Sequence, residues 1–568
     1  MNRPGWKLSG NREKLTGIFL RLLYVVIVAL ITGWQLGWIL QREIVYVSPE
    51  GHDWYPGTRE RPVRRIQVAL DRVQKGGEIL VDPGVYSERL QVLTGGTPTQ
   101  PTRIHSVVPG AARLTWELSD RERKDLKWQA EGNLFRAKID HPVYRVVWEG
   151  QQFFRVPWGG EKSLRELGAR PGHFGAFTYS EGELLVIPLD GVDASFLSAL
   201  RINAPVPEPR EWGEFKSANI TVTADFVEIS GFEMEFGIGA GVLVKGADHV
   251  QIHNCQFSGA TVGVNSDSRE GYSDGLQIRH CFYDNFPQGL WDDQWLSWEE
   301  VYAAYSASSL VKAKGSEFQI CSCVATHVGD GLQVSPVRPS TNGPSTVENC
   351  LIAFGTDDAL ELDGSASGLA VLGNVFYDCH VGVSLSPILV GPVEIRKNTF
   401  LLDVKDHSYS AGVKLLPPAA FEQVARDIEI VDNLFVSRSF AWWRGCTLEN
   451  FHLKNNVSLN RESVVPDLLS AMETSGNRME VLSDFSALST AISAERFGSS
   501  PGDVSPSQEP PQPTIRGVSW LSASTHPALA GIPNWCFAAI VGYGRTTEPA
   551  AKIAECQGTG NYSVRGEE

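Results

Sequence analysis

The chain has 568 residues, 42% of them hydrophobic and 20% charged, enough to bury a large core and too apolar for a disordered polymer. With 66 acidic against 50 basic residues its formal charge is −16, which excludes a general basic surface for a nucleic-acid backbone. The 55 glycines and 16 tryptophans suit a fold of many tight turns with large aromatic fillers.

Residues 1–21 carry Arg3, Lys7, Arg12, Lys14 and Arg21, and Leu22–Leu40 is apolar except for Thr32 and Gln35. Nineteen residues at about 1.5 Å each cross a bilayer's hydrocarbon layer. The basic flank predicts a single-pass signal anchor at 22–40 in a bacterial inner membrane, with residues 1–21 cytoplasmic and the bulk of the chain periplasmic. No small-x-small cleavage site follows the apolar run.

Residues 41–110 read as the N-terminal cap and first coils of a solenoid. Val63, Ile66, Ala69, Leu70 and Val73 fall on one face of a helix predicted from Pro62 to Val73, which Gly76-Gly77 stops before the strand Glu78–Val81. Val47-Ser48-Pro49-x-Gly51, Pro56-Gly57-Thr58, Arg64-x-Ile66-Gln67-x-Ala69-Leu70 and Val81-x-Pro83-Gly84-x-Tyr86 resemble the opening of right-handed parallel β-helix proteins of the pectate-lyase-like superfamily. That resemblance implies a polysaccharide partner.

Residues 111–215 break the rhythm and read as a β-rich insertion. Its aromatics Trp116, Trp128, Trp148, Trp158, Phe177 and Tyr179 suit a small core of its own more than a sugar-binding wall.

From 216 to 460 a unit near 24 residues long recurs, marked by Ile252-x-x-Cys255, Ile278-x-x-Cys281, Ile320-x-x-Cys323, Val347-x-x-Cys350, Val371-x-x-Asn374, Ile395-x-x-Asn398, Ile430-x-x-Asn433 and Leu453-x-x-Asn456. Such a period defines a parallel β-helix whose coils stack. One inward column is then four cysteines followed by four asparagines, an internal ladder in which thiols fill gaps and amides bond along the stack. A linear column suits neither a metal site nor neighbouring disulfides; Cys536 and Cys556 are free to pair in an exported chain. Between Cys281 and Cys323 the coil swells, and Trp291, Trp295, Trp298, Tyr302 and Tyr305 fall on one face of a predicted helix. Residues 461–568 read as a tail with a Pro/Ser-rich linker.

Aligning the second strand of each coil gives an outward column of Leu243, Asn265, Trp291, Gln333, Glu361, Ser384 and Lys414, with Asp330 and Asp358 on consecutive coils and Asp357 beside them. Stacked strands set Asp330 and Asp358 about 5 Å apart. Asp330, Asp358, Glu361 and Lys414 are therefore the candidate catalytic residues, and Asn265, Trp291 and Gln333 the candidate substrate contacts. Crowded carboxyls divide into proton donor and base or nucleophile, a division chemically compatible with glycoside hydrolysis. Alternatively the same acids, Asp330, Asp357, Asp358 and Glu361, with Asp357, Asp358 and Glu361 foremost, offer oxygen ligands for Ca²⁺, and Lys414 would then be the base of a polysaccharide lyase. Turn aspartates that only bond backbone N–H groups are the non-functional alternative.

Gly355-Thr356-Asp357-Asp358 is similar to the paired-aspartate motif of polygalacturonase-type hydrolases, whose N-T-D, G-H-G and R-x-K elements are absent here. Asp357-Asp358-x-x-Glu361 followed by the run from Val381 to Asn398 resembles instead a group of bacterial β-helix repeat proteins that lack an assigned activity. That resemblance admits a non-catalytic scaffold docked on a membrane-protein partner as the competing class. His327 and His380 lie near the same surface as turn residues.

Overall fold

The structure, a computed structural model, describes residues 42–481 apart from 157–159, 172, 174, 207–209, 212–213, 216, 269–270, 285–307, 338–339, 341–342, 365, 387, 403–409, 417–423 and 463–471. The apolar run 22–40, the aromatic stretch from Trp291 to Tyr305 and Cys536 and Cys556 lie outside the described residues. Among those described, no helix is long and apolar enough to cross a membrane.

A right-handed parallel β-solenoid fills most of the molecule. One wall is a sheet of 13 strands running from Arg42–Val47 to Glu473–Ser475, and a second sheet of 18 strands folds around a corner to make the other two walls. All pairings within the 13-stranded wall are parallel, as in Val347↔Val371 and Val371↔Ile395. Coils continue past Asn460, because Glu473–Ser475 and Arg478–Val481 stack on the strands before them.

Each turn off the first wall is made by one left-handed residue directly before the ladder position: Asn254, His280, Ser322, Asn349, Gly373, Lys397, Asp432, Asn455 and Gly476, all with φ between 52° and 66°. Asn, Asp and Gly dominate because they tolerate this region best. The residue that follows points inward, so the cysteines and asparagines form one buried file. Asn374 Nδ2 donates to Asn398 Oδ1 at 2.9 Å, Asn398 to Asn433 at 3.0 Å, Asn433 to Asn456 at 2.9 Å and Asn456 to Asn477 at 3.1 Å. Asn477 is thus a further rung beyond those read from the repeat. The seven cysteines of the described residues are buried thiols outside any disulfide. Behind the file, Phe376, Phe400 and Phe435 stack at 4.7 and 4.5 Å between ring centroids.

Two sequence expectations change at the N-terminus. The helix predicted over 62–73 is the single turn Ile66–Leu70, and the strand after it begins at Val73. The parallel strand Arg42–Val47 lies alongside and claims those residues for the sheet. Val63, Ile66, Ala69, Leu70 and Val73 are nevertheless all in the solenoid core.

Between Leu114 and Ala218 the chain leaves the solenoid. It builds a five-stranded sheet containing Leu134–Lys138, Ala176–Ser180 and Glu183–Ile187, a three-stranded sheet, and the helix Gly160–Gly168. This part has its own core around Phe135, Phe153, Phe177 and Phe196, with Trp128, Trp148 and Tyr179 packed against it. Arg201, held within this part by an ion pair to Glu117 at 2.6 Å, ties it to the solenoid by a second one to Glu235 at 2.5 Å.

Candidate active site

The outward column is real, with one substitution in its membership. Register runs Leu243↔Asn265↔Lys312↔Gln333↔Glu361↔Ser384↔Lys414↔Trp442. Lys312 takes the place expected for Trp291. A fixed offset from Cys281 lands on Trp291, but residues 285–307 fall between the strands Phe282–Asp284 and Ser309–Gly315, so the register resumes only after them. The alternation Lys312-Ala-Lys314 in an otherwise apolar strand was the available signal.

The acids gather where the long strand Leu351–Glu361 rounds the corner between two walls. Phe354 there has φ +58°, and the register with the following coil shifts between Gly355 and Asp358. Asp330 lies on the preceding coil, since Leu332 pairs with Leu360 and Gly331 N–H donates to the Asp358 carbonyl at 2.9 Å. Carboxylate oxygens of Asp330, Asp357 and Asp358 come within 4.8 Å of one another. Lys414 reaches back across the intervening coil and its Nζ donates to Asp358 Oδ2 at 2.5 Å. The other oxygen, Asp358 Oδ1, is buried and without a partner among the described residues.

Depth sorts the residues. Asp330 and Asp358 are 7% and 2% exposed, whereas Asp357 and Glu361 are half-buried and reach the outside. Gln333 is buried on this face, its Nε2 donating to Asp330 Oδ2 at 2.6 Å. Asn265, three coils earlier, is fully buried. Asp363, which the sequence reading passed over, belongs to the same group: it follows Glu361 by two residues on the same side of the chain and accepts from Ser384 Oγ at 2.6 Å and Ser386 N at 2.9 Å. His327 is occupied elsewhere, with Nδ1 2.9 Å from Asp284 Oδ1 and its ring stacked on Phe354; His380 is a half-buried residue just past the corner.

Five carboxyls thus face two ammonium groups, Lys312 and Lys414, in a place short of water. Burial pushes Asp330 well above the ordinary aspartate range, and Glu361 and Asp357 add to the push. Burial likewise raises Asp357, Asp358 and Asp363, with Lys414 opposing the rise in each. Glu361 is pushed up to about 6 by burial and Asp363, eased by Lys312 and Lys414. Burial pulls Lys414 down, yet Asp358 and Asp357 overcome it and hold the ammonium above the usual lysine value. Such a set stores protons unevenly, which is what acid–base chemistry needs.

A carboxyl whose folded pKa is raised favours the fold below its unfolded pKa, and that contribution is lost as pH rises through the folded value. Asp330→Asn should therefore raise the melting temperature at pH 8 by roughly 2 °C or more and leave it unchanged at pH 4. Calorimetry at the two pH values checks this. An equal change at both would mean Asp330 is not held protonated.

An all-oxygen set with separations up to 4.8 Å also fits a hard divalent cation, since Ca²⁺–oxygen distances are about 2.3–2.6 Å. The closest grouping is Asp330, Asp357 and Asp358, three of the four acids expected, without Glu361.

Residues 218–401 match the family model described as the right handed beta helix region. The coils are accordingly a right-handed parallel β-helix. A 59-residue stretch is 36% identical to the uncharacterized protein YwoF of Bacillus subtilis (strain 168), covering 10% of this chain and 13% of that protein. Among solved structures, the complex of XylC with xylose matches with a TM-score of 0.44 and 12% identity over 73% of this chain and 75% of that one. A mannuronic acid specific polysaccharide family 6 lyase from human gut microbiota matches at 0.38 and 9% over 83% and 95%, and pectate lyase Pel9A at 0.36 and 14% over 81% and 86%.

Proposed function

We propose that this chain is a polysaccharide-cleaving β-helix protein, held by residues 22–40 in a bacterial inner membrane with the solenoid outside the cytoplasm. The observation that carries the reading is the graded burial of Asp330, Asp357, Asp358, Glu361 and Lys414 on one corner of the outer wall. Glu361 reaches the surface with a pKa near 6, so it holds a proton it can give to a glycosidic oxygen as the C–O bond breaks. Asp357, also at the surface, supplies the second carboxylate. It acts either as the nucleophile at the anomeric carbon, with Glu361 taking a proton back from the water that later releases the sugar, or as the base that takes a proton from the attacking water, and the separation of the two carboxyls decides which. Asp330, Asp358 and Lys414 lie beneath as positioning residues that set the charge of those two.

Lys414 suits the lyase base less well. Its Nζ donates to Asp358 at 2.5 Å and the carboxylates hold its pKa above the normal lysine value, so little of it is free base near neutrality. The carboxylate grouping does favour a Ca²⁺-loaded form, in which Asp330, Asp357 and Asp358 would hold the ion and the ion would supply charge neutralisation for an acidic sugar.

A degradation screen on neutral and acidic glycans, with and without calcium, tests the reading. New reducing ends without ultraviolet absorbance are expected, and unsaturated products would move the reaction to elimination. No turnover on any glycan, together with a stoichiometric membrane-protein partner, would replace it with the scaffold reading.

A further inference from the structure

We propose that the first coil of the solenoid is seated in the phospholipid headgroup layer, through the segment 48–65 and a ring of exposed apolar side chains. This rests on the reading of residues 22–40 as a membrane anchor. From Leu40 to Arg42 the chain advances two residues, a reach of about 7 Å at most. The strand Arg42–Val47, which is the terminal strand of the 13-stranded wall, is therefore pinned close to the end of the apolar run.

What lies on that end of the solenoid fits a membrane surface. Segment 48–65 closes over the outer edge of Arg42–Val47: Tyr46 N–H donates to Gly57 O at 2.9 Å, Val63 N–H to Tyr46 O at 3.0 Å and Ser48 N–H to Val63 O at 2.9 Å. The edge is thereby covered, and the covering segment becomes the end face. It carries Trp54, 50% exposed, stacked on His52 at 4.5 Å with Tyr55 edge-on, and the Arg61 guanidinium sits 4.7 Å over the Tyr55 ring.

This presentation is rigid. Arg72 donates to the carbonyls of Tyr55 and Asp53, and Asp53 pairs with Arg65, so the aromatics are held outward against the hydrophobic effect. Exposed Ile44 and Val85, on the first strands of two walls, and Leu93, directly after the first strand of the third, are 40%, 51% and 72% accessible. Six of the nine exposed large hydrophobics in the described residues fall between 44 and 108, which concentrates the greasy surface at one end.

Charge selects the occupant. Segment 48–65 holds four arginines against three acids, in a chain of net charge −16. With Arg65 paired to Asp53, exposed Arg59, Arg61 and Arg64 remain for phosphate groups, while Trp54 and Tyr55 take the depth that such side chains favour between headgroups and acyl chains.

The test uses the full chain in phosphatidylcholine–phosphatidylglycerol nanodiscs and in maltoside micelles, read by hydrogen exchange. Amides of residues 50–65 should exchange about fivefold or more slowly in nanodiscs, whereas those of Val393–Leu401 should not change. Combining Trp54→Ala with Arg59→Gln, Arg61→Gln and Arg64→Gln should return residues 50–65 to the micelle rate without releasing the chain from the disc. A chain that enters nanodiscs with equal exchange in both media overturns this inference and leaves the anchor standing; a chain that never enters them removes both. Protection that persists in micelles and follows a co-purifying protein overturns it in favour of that protein.

Discussion

Replacing Asn398 by alanine is expected to destabilise the solenoid by about 3 kcal/mol. The side chain is 1% exposed and fully engaged. Its Oδ1 accepts from Asn374 N at 2.8 Å and Asn374 Nδ2 at 2.9 Å, and its Nδ2 donates to Val371 O at 2.9 Å and Asn433 Oδ1 at 3.0 Å. Alanine removes four bonds at once; Asn374 Nδ2 keeps Val347 O and Asn433 Oδ1 keeps the backbone N–H of residue 398, but Asn374 N and Val371 O lose these partners in a dry interior, where each unsatisfied group costs roughly 1–3 kcal/mol. Water entering the gap would recover part of this, which is why the expected total is nearer the low end of the sum. Because each coil touches only its neighbours, the loss should also divide the molecule. Hydrogen exchange should quicken in coils beyond residue 398 more than in those before 350. Denaturant unfolding that shows a loss under about 1 kcal/mol would mean the amide file is incidental to the stack.

That file was legible in the sequence because it repeats: a residue that must turn inward after every left-handed corner is written once per coil, as Cys or Asn. The grouping of Asp330, Asp358, Glu361 and Lys414 was legible for the same reason, since register alone aligns them. The reading went astray where the chain leaves the period. Residues 285–307 interrupt a coil between two walls, so counting from Cys281 gave Trp291 where register puts Lys312. The predicted helix at 62–73 failed because apolar spacing of three and four also serves a single turn followed by a strand, and strand pairing with Arg42–Val47 decided between them. Depth was not written in the pattern at all. Nothing in Asp357-Asp358 says that the first of the pair reaches the surface and the second is sealed against Lys414.

The second large effect concerns chemistry and rests on the proposed function. Glu361→Gln is expected to lower kcat on a cleaved polysaccharide by about 10²–10⁴-fold, the usual contribution of a placed proton donor, with KM little changed because the amide keeps the size of the acid. As a proton donor with a pKa near 6, Glu361 is active while protonated, so the rate should fall as pH rises past that value. Its neighbours then move the limb in opposite directions. Asp363 raises the Glu361 pKa and Lys312 lowers it. Asp363→Asn, which keeps an oxygen for Ser384 and Ser386, should shift the limb to lower pH, and Lys312→Met should shift it to higher pH. A merely structural role for either residue would change the rate without moving the limb. Profiles of kcat against pH for the three variants decide the matter: if the limb stays fixed in both Asp363→Asn and Lys312→Met while Glu361→Gln retains activity, the proton comes from another group and this corner of the wall is not where the bond is broken.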